Sequence, residues 1–165
     1  MNFNHFDAQG QAIMVDVSNK QPTRRVAIAK ATVLMRPETL DLIRTGQASK
    51  GDVLGVARLA GIAAAKKTAD LIPLAHPLGL HAVSIEFELR AADASIDVQA
   101  KVTAVERTGV EMEAMVAASL AALTIYDMCK GVDRGIRVTD VLLLHKEGGK
   151  SGLYQHDGGA ESDHR

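Results

Sequence analysis

The sequence has little of several residue types, and each shortage excludes a class of protein. It contains no tryptophan, two tyrosines, three phenylalanines and a single cysteine, Cys129. One cysteine allows no disulfide within the chain, which favours a reducing, cytoplasmic location. The formal net charge of −1 argues against a broad nucleic-acid or membrane surface, because such surfaces need many clustered cations. No signal peptide is recognisable, and no run of about 18 apolar residues indicates a membrane span.

What the chain has instead is an apolar content of 47%, which consists largely of Ala, Val, Leu and Ile. At 165 residues this suits one domain of ordinary size. Small side chains bury little surface per residue, and association of identical chains is a common remedy. We therefore expect a homo-oligomer.

Hydrophobic periodicity predicts the order strand, helix pair, strand, strand, helix, strand. Residues 25–35 are typical of a strand, with Val26, Ile28, Thr32 and Leu34 on one face, and alternating apolar residues over 83–104 predict a hairpin. This order matches an α+β, ferredoxin-like fold, in which an antiparallel sheet carries its helices on one face. We expect an irregular arm at 1–23, one catalytic domain at 24–152 and a disordered tail at 153–165.

Capping residues suggest where the helices begin. Pro37 opens a short helix that Gly46 ends, and Ser49 is predicted to cap a helix that runs to about Ala69. The segment 108–111 has the T-x-x-E pattern of a capping box, so we expect the longest helix to begin there and to end at Gly131.

Three groups of residues suggest chemistry: a pair on a helix, a lysine at a helix start and a histidine in a loop. Each also has a purely structural interpretation. Asp127 and Lys130 lie three residues apart on a helix, where they can share proton transfer or form an ordinary surface ion pair. Lys50 precedes a helix start, where backbone N–H groups favour an anion, although it can equally be a solvated loop lysine. His76 lies in a loop stiffened by Pro73 and Pro77, which suits presentation of one imidazole or simply a rigid loop.

Other patterns are weaker. Glu111 has a capping role, whereas Glu113 has no evident structural one. The cations are scattered, and the sequence does not show whether they converge: Arg25, Lys66, Lys67, Lys146 and Lys150. The six histidines have no metal-ligand spacing, so we expect no built-in metal site, and no G-x-S-x-G elbow supports a nucleophilic triad.

Several long segments resemble the MoaC family. They are residues 14–18 (MVDVS), 50–53 (KGDV), 70–78 (DLIPLAHPL), 108–114 (TGVEMEA), 121–130 (AALTIYDMCK) and 148–152 (GGKSG). The resemblance covers about residues 13–152. It implies a ferredoxin-like subunit in a homohexamer, a trimer of dimers, with active sites at subunit interfaces.

The resemblance also implies a reaction in molybdenum cofactor biosynthesis. The substrate would be 3′,8-cyclo-7,8-dihydroguanosine triphosphate, made by a radical SAM enzyme, and the products cyclic pyranopterin monophosphate and pyrophosphate. Lys50, Asp127 and Lys130 match the family's catalytic group. The substrate-contacting positions would be Leu74, Ala75, His76, Met112 and Glu113, to which we add Glu111, with Arg25, Lys66 and Lys146 near the phosphates. Many family members have Cys where this chain has Ala75, so only a backbone contact would survive there.

The residue types suit this chemistry. A triphosphate needs several cations and a helix N-terminus, ring rearrangement needs acid and base groups, and cations stabilise the charge on departing pyrophosphate. The sequence requires no cofactor, and it leaves open whether Mg²⁺ accompanies the triphosphate. Two alternatives remain: a ligand-binding module on the same fold, and an RNA-binding domain, which would need exposed aromatic residues on its central strands.

Overall fold

The structure is a computed structural model, and it describes residues 5–157. Its elements in chain order are β1 (Thr23–Leu34), α1 (Pro37–Arg44), α2 (Val53–Ala65), α3 (Thr68–Leu71), β2 (Leu80–Arg90), β3 (Ser95–Glu106), α4 (Glu111–Cys129), β4 (Arg137–Glu147) and β5 (Tyr154–Gln155). The predicted order of strands and helices is confirmed. The short strand β5, which pairs with β4 inside the segment predicted as a disordered tail, was not foreseen.

The five strands form one antiparallel sheet in the order β2-β3-β1-β4-β5. Without β5 this is the strand order of a ferredoxin-like fold, and α2 and α4 pack together against one face of the sheet. The α+β, ferredoxin-like prediction is therefore confirmed. Residues 5–22 carry only an isolated bridge between Phe6 and Ala12, so the described part of the arm is irregular as predicted.

The face of β1 that carries Val26, Ile28, Thr32 and Leu34 is not the face that packs under the helices. The residues that join the core under the helices are Ala27, Ala29, Ala31 and Val33, each fully buried, and not the alternate set that begins at Val26. The alanines on this face allow α4 to approach the sheet closely, whereas the opposite face carries Lys30 and Thr32, which both contact Asp97. The matching residues of the hairpin, from Ile96 to Ala104 on β3, lie in the core as expected.

Two predicted helix caps are also wrong. Asp52, and not Ser49, caps α2, because its carboxylate accepts a hydrogen bond from the Gly55 N–H at 2.8 Å. The N-cap of α4 is Val110, which provides no side-chain bond, so Thr108 and Glu111 form no capping box. The Glu111 carboxylate instead accepts a hydrogen bond from Lys146 Nζ at 2.5 Å. The helix predicted to reach Ala69 ends at Ala65, and α3 follows it.

Helix α4 forms the centre of the fold. It is long and apolar enough to span a membrane by length and composition, which the search for apolar runs in the sequence missed. Half of its most apolar window is buried inside the protein, where alanines from Ala114 to Ala122 face the sheet and α2. This burial is typical of the core helix of a globular domain.

Candidate active site

The last turn of α4 brings together the three residues predicted to be catalytic. Lys130 Nζ lies 2.6 Å from Asp127 Oδ1. Lys50 Nζ donates a hydrogen bond to the Asp127 backbone carbonyl at 2.9 Å and lies 3.8 Å from Oδ2 of the same residue. Lys50 comes from a segment 77 residues away, so this contact is produced by the tertiary fold and not by helix spacing alone.

The electrostatics of this cluster fix its charge states. The hydrogen bond and the charge of Lys130, helped by Lys50, lower the pKa of Asp127, and Asp127 in turn raises the pKa of Lys130. All three side chains are about half exposed. The cluster therefore consists of one carboxylate between two basic side chains, which leaves it with a net positive charge.

A buried carboxylate anchors the loop that follows this cluster. Asp133 accepts hydrogen bonds from the Arg36 N–H at 2.9 Å and the Thr39 hydroxyl at 3.0 Å, and Oδ1 accepts one from the Gly135 N–H at 3.1 Å. Burial opposes ionisation of Asp133, but these hydrogen bonds keep its pKa below the usual range. The loop after Lys130 is thereby tied to the start of α1, whose far end leads towards Lys50.

The opposite end of α4 opens on a second region, a cleft of about 730 Å³ that we call the apolar cleft. The irregular arm, the loop after α3 and the start of α4 form its walls. It collects six of the predicted substrate-contacting residues: Leu74, Ala75, His76, Glu111, Met112 and Glu113. The structure therefore brings these six residues together in one cleft.

The arm contributes to this cleft in a way that sequence reasoning missed. Val15 and Val17 line it, and the ring nitrogen Nε2 of His76 lies 2.7 Å from the Val15 carbonyl oxygen. Because a carbonyl only accepts, Nε2 carries the proton, and Nδ1 is the acceptor in the neutral imidazole. Val15 and Val17 lie in segment 14–18, which resembles the MoaC family. That resemblance was the only feature of the sequence that pointed to a role for them in the site.

Glu113 is the acid of this cleft that is suited to exchange protons near neutral pH. Its side chain is buried, with the residue 4% exposed. Burial, with a contribution from the nearby charge of Glu111, raises the pKa of Glu113 to about 7. A carboxyl group with such a pKa serves as acid or base at physiological pH.

A third region, the cationic cleft, adjoins the apolar cleft and has a volume of about 740 Å³. Arg25 and Lys146 line it as predicted, together with Lys20, Arg107 and Lys150. Both clefts share Lys20, Thr108, Gly109 and Glu111 in their walls. Lys66 does not join Arg25 and Lys146, since it lies in a separate shallow depression beside Leu80 and His81.

The cluster of Lys50, Asp127 and Lys130 does not line either cleft within one chain. Glu113 and Asp127 lie 14 residues apart on α4, which corresponds to about 21 Å along the helix axis. Within one chain the residues predicted to be catalytic and those predicted to contact the substrate therefore lie in two separate regions. No group of three or more His, Cys, Asp or Glu side chains in residues 5–157 is arranged to hold a metal ion.

The fold and these regions define a small α+β protein with an apolar cleft of nucleotide size beside a cationic one. The family model described as "MoaC family" matches residues 14–149, so the chain belongs to the MoaC family. Similar proteins named "Cyclic pyranopterin monophosphate synthase" occur in Pelobacter propionicus (64% identical, 96% of this chain and 99% of that one), Geobacter metallireducens (64%, 95% and 98%) and Geotalea uraniireducens (65%, 95% and 98%).

Proposed function

We propose that this chain is a cyclic pyranopterin monophosphate synthase of molybdenum cofactor biosynthesis. It converts 3′,8-cyclo-7,8-dihydroguanosine triphosphate into cyclic pyranopterin monophosphate and pyrophosphate. The observation that carries the proposal is the contact of both Lys50 and Lys130 with Asp127 in a chain that is 64% identical to a protein of that name over nearly its whole length.

The two adjoining clefts match the two parts of such a substrate. Val15, Val17, Leu74 and Met112 provide apolar walls for a flat guanine-derived ring. The cationic cleft, with Arg25 and Lys146, suits the triphosphate. Any Mg²⁺ would arrive with the phosphates, because they supply the oxygen ligands that this ion prefers.

The side chains suit the two stages of the reaction. Opening of the guanine-derived ring and formation of the new ring require protons to move, and Glu113, with a pKa of about 7, is the group that exchanges them, with the His76 imidazole beside it in the same cleft. A ribose-derived hydroxyl then attacks the α-phosphate, a new P–O bond forms, the P–O bond to pyrophosphate breaks, and the hydroxyl proton passes to the departing pyrophosphate. Lys50 and Lys130 stabilise the charge of that transition state, and Asp127 holds both lysines.

Both groups of residues can act on one substrate only if a second copy of the chain brings its cluster to the clefts of the first, because within one chain they lie at opposite ends of α4. An antiparallel pairing of two α4 helices about a two-fold axis would place the cluster of each copy beside the clefts of the other. Leu123 on α4 and Leu59 on α2, 51% and 69% exposed, lie between the two ends and would be covered by such a pairing. We propose that these dimers form a homohexamer, a trimer of dimers, in the cytoplasm.

Release of pyrophosphate tests the activity. Purified protein is given the cyclised nucleotide, and pyrophosphate and the pterin product are measured together. The proposal expects both products in equal amounts. Binding of the nucleotide without release of pyrophosphate would instead identify a ligand-binding module.

Mixing two inactive variants tests the shared site. Asp127→Asn disables the cluster and Glu113→Gln disables the apolar cleft, so a mixed dimer keeps one intact site of its two. After unfolding and refolding together, the mixture should regain about a quarter of wild-type activity. A mixture of Asp127→Asn with Lys50→Ala, both in the cluster, should regain none, and equal activity in the two mixtures would contradict a site built from two chains.

A further inference from the structure

Arg25 is a nearly buried cation without a carboxylate partner. The residue is 9% exposed, and it forms no ion pair within the stretch 5–157 that the structure describes. Its Nε donates a hydrogen bond to the Glu106 carbonyl at 3.2 Å, and its Nη2 donates one to the Arg107 carbonyl at 3.3 Å. Neutral carbonyls orient a guanidinium but do not neutralise it, and buried charges are normally paired. The missing counter-charge points to an anionic ligand.

The loop after β4 lies directly on this guanidinium. Gly148 and Gly149 have φ angles of +98° and +74°, in the region that favours glycine. A Cβ atom on Gly149 would lie only 1.9 Å from Arg25 Nη1, so the close approach also requires glycine. Beyond this contact, Lys150 and Ser151 line the cationic cleft opposite Arg107.

We propose that Gly148–Ser151 is a polyphosphate-binding loop and that Arg25 is the residue that positions it. The same guanidinium holds the end of β3 through two carbonyls and supports the loop through Gly149, so it fixes the two walls of the cleft relative to each other. The exposed Arg107 and Lys150 then bind the phosphate oxygens. This assignment rests on the proposed function for the identity of the ligand, and it adds Gly149, Lys150, Ser151 and Arg107 to the site.

Two glycines of this loop region provide a matched pair of variants. Gly149→Ala pushes the Arg25 guanidinium aside, and the flexible end of that side chain can move without unfolding the protein. Gly152→Ala introduces the same methyl group at a similar φ of +65°, but nothing lies within 4 Å of it. Both variants carry comparable backbone strain, and only the first displaces Arg25.

The test is calorimetric titration of inorganic pyrophosphate into the assembled protein, with thermal unfolding of each variant alongside. We expect Gly149→Ala to bind pyrophosphate about tenfold or more weakly and Gly152→Ala within about twofold of wild type, at similar melting temperatures. Equal affinities for the two variants would overturn the proposal. If Gly149→Ala fails to fold, Arg107→Gln, compared with Arg137→Gln outside the cleft, must show the same loss of binding.

Turnover of the cyclised nucleotide by the wild type separates this inference from the proposed function. A clear difference between the glycine variants without any turnover would keep the loop as a polyphosphate site and reject the synthase activity. Normal turnover with no difference in pyrophosphate binding would keep the synthase and reject the loop.

Discussion

The two ends of α4 present opposite kinds of site on one rigid element. At the C-terminal end, Asp127, Lys50 and Lys130 are exposed and paired, with a shortest contact of 2.6 Å. At the N-terminal end, Glu113 is buried beside apolar walls, and its pKa is raised to about 7. The first end keeps its charges fixed across neutral pH, whereas the second gains or loses a proton there.

This difference suggests that the two ends of α4 serve different steps of the reaction. Fixed charges stabilise a transition state without reorganisation, which suits the step that expels pyrophosphate. A carboxyl group that titrates near pH 7 suits repeated proton transfers during the ring rearrangement. One chain holds both kinds of group but keeps them about 21 Å apart along the helix, so the comparison also predicts that two chains cooperate.

Removing the fixed charge should have the largest effect. Asp127→Asn leaves Lys50 and Lys130 without the carboxylate that orients them, and we expect activity to fall by about 10²–10⁴-fold. The melting temperature should hardly change, because the cluster is exposed to solvent. Pyrophosphate release and thermal unfolding measure the two effects, and Lys50→Ala and Lys130→Ala should behave alike.

Asp41 offers a matched control for this change. It forms an exposed ion pair with Arg44, also three residues along a helix, at 3.0 Å. Asp41→Asn should retain wild-type turnover, since that pair lies away from the cluster. Wild-type turnover in Asp127→Asn would show that the Asp127–Lys130 pair, like the Asp41–Arg44 pair, is a surface ion pair without a role in the reaction.

Changing the titrating end should have a smaller effect on turnover and a distinct pH signature. Glu113→Gln removes the group with a pKa of about 7, so turnover should fall about 10²-fold and lose its dependence on pH around neutrality. A pH–rate profile from pH 5 to 9 measures both. An unchanged profile would assign the proton transfers to another residue.

The same substitution makes a prediction about stability, and its sign follows from the raised pKa. The pKa of Glu113 is about 7 in the folded protein and near the ordinary 4.5 in the unfolded chain, so the folded state binds more protons between these values. The free energy of unfolding therefore falls as pH rises from 4.5 to 7. Glu113→Gln should stabilise the protein by about 3 kcal/mol at pH 8 and by little at pH 4.5. Denaturant unfolding at both pH values tests this, with the exposed Glu88→Gln as control.

Sequence patterns predicted the elements better than their ends and faces. The T-x-x-E pattern before α4 failed as a capping box because Glu111 has a partner, Lys146, that is distant in sequence. A local motif cannot show such competition. The pattern of β1 did not show which of its faces packs under the helices, because the buried face consists mainly of alanines, which are less apolar than the valine and isoleucine beside them.

The candidate site was predicted in pieces for the same reason. Lys50, Asp127 and Lys130 were matched by family resemblance, and the fold then brought them together. The arm has no periodicity, so nothing in it indicated that Val15 would hold His76. Lys66 was placed near the phosphates with Arg25, but the two side chains extend from different elements and line different surfaces of the chain.

A substitution midway between the two ends should alter stability while sparing both sites. Gly61 of α2 packs against the middle of α4, where an added Cβ would lie 3.0 Å from the Ala117 carbonyl and 3.0 Å from Ile85 Cδ1. Gly61→Ala should destabilise the protein by about 1–2 kcal/mol, because overpacking exceeds the gain in helix propensity. Ala63→Gly, at an exposed position two residues further along the same helix, measures propensity alone. Turnover of Gly61→Ala well below its melting temperature should match wild type, and a large loss there would mean that the spacing of the helices tunes the chemistry at both ends of α4.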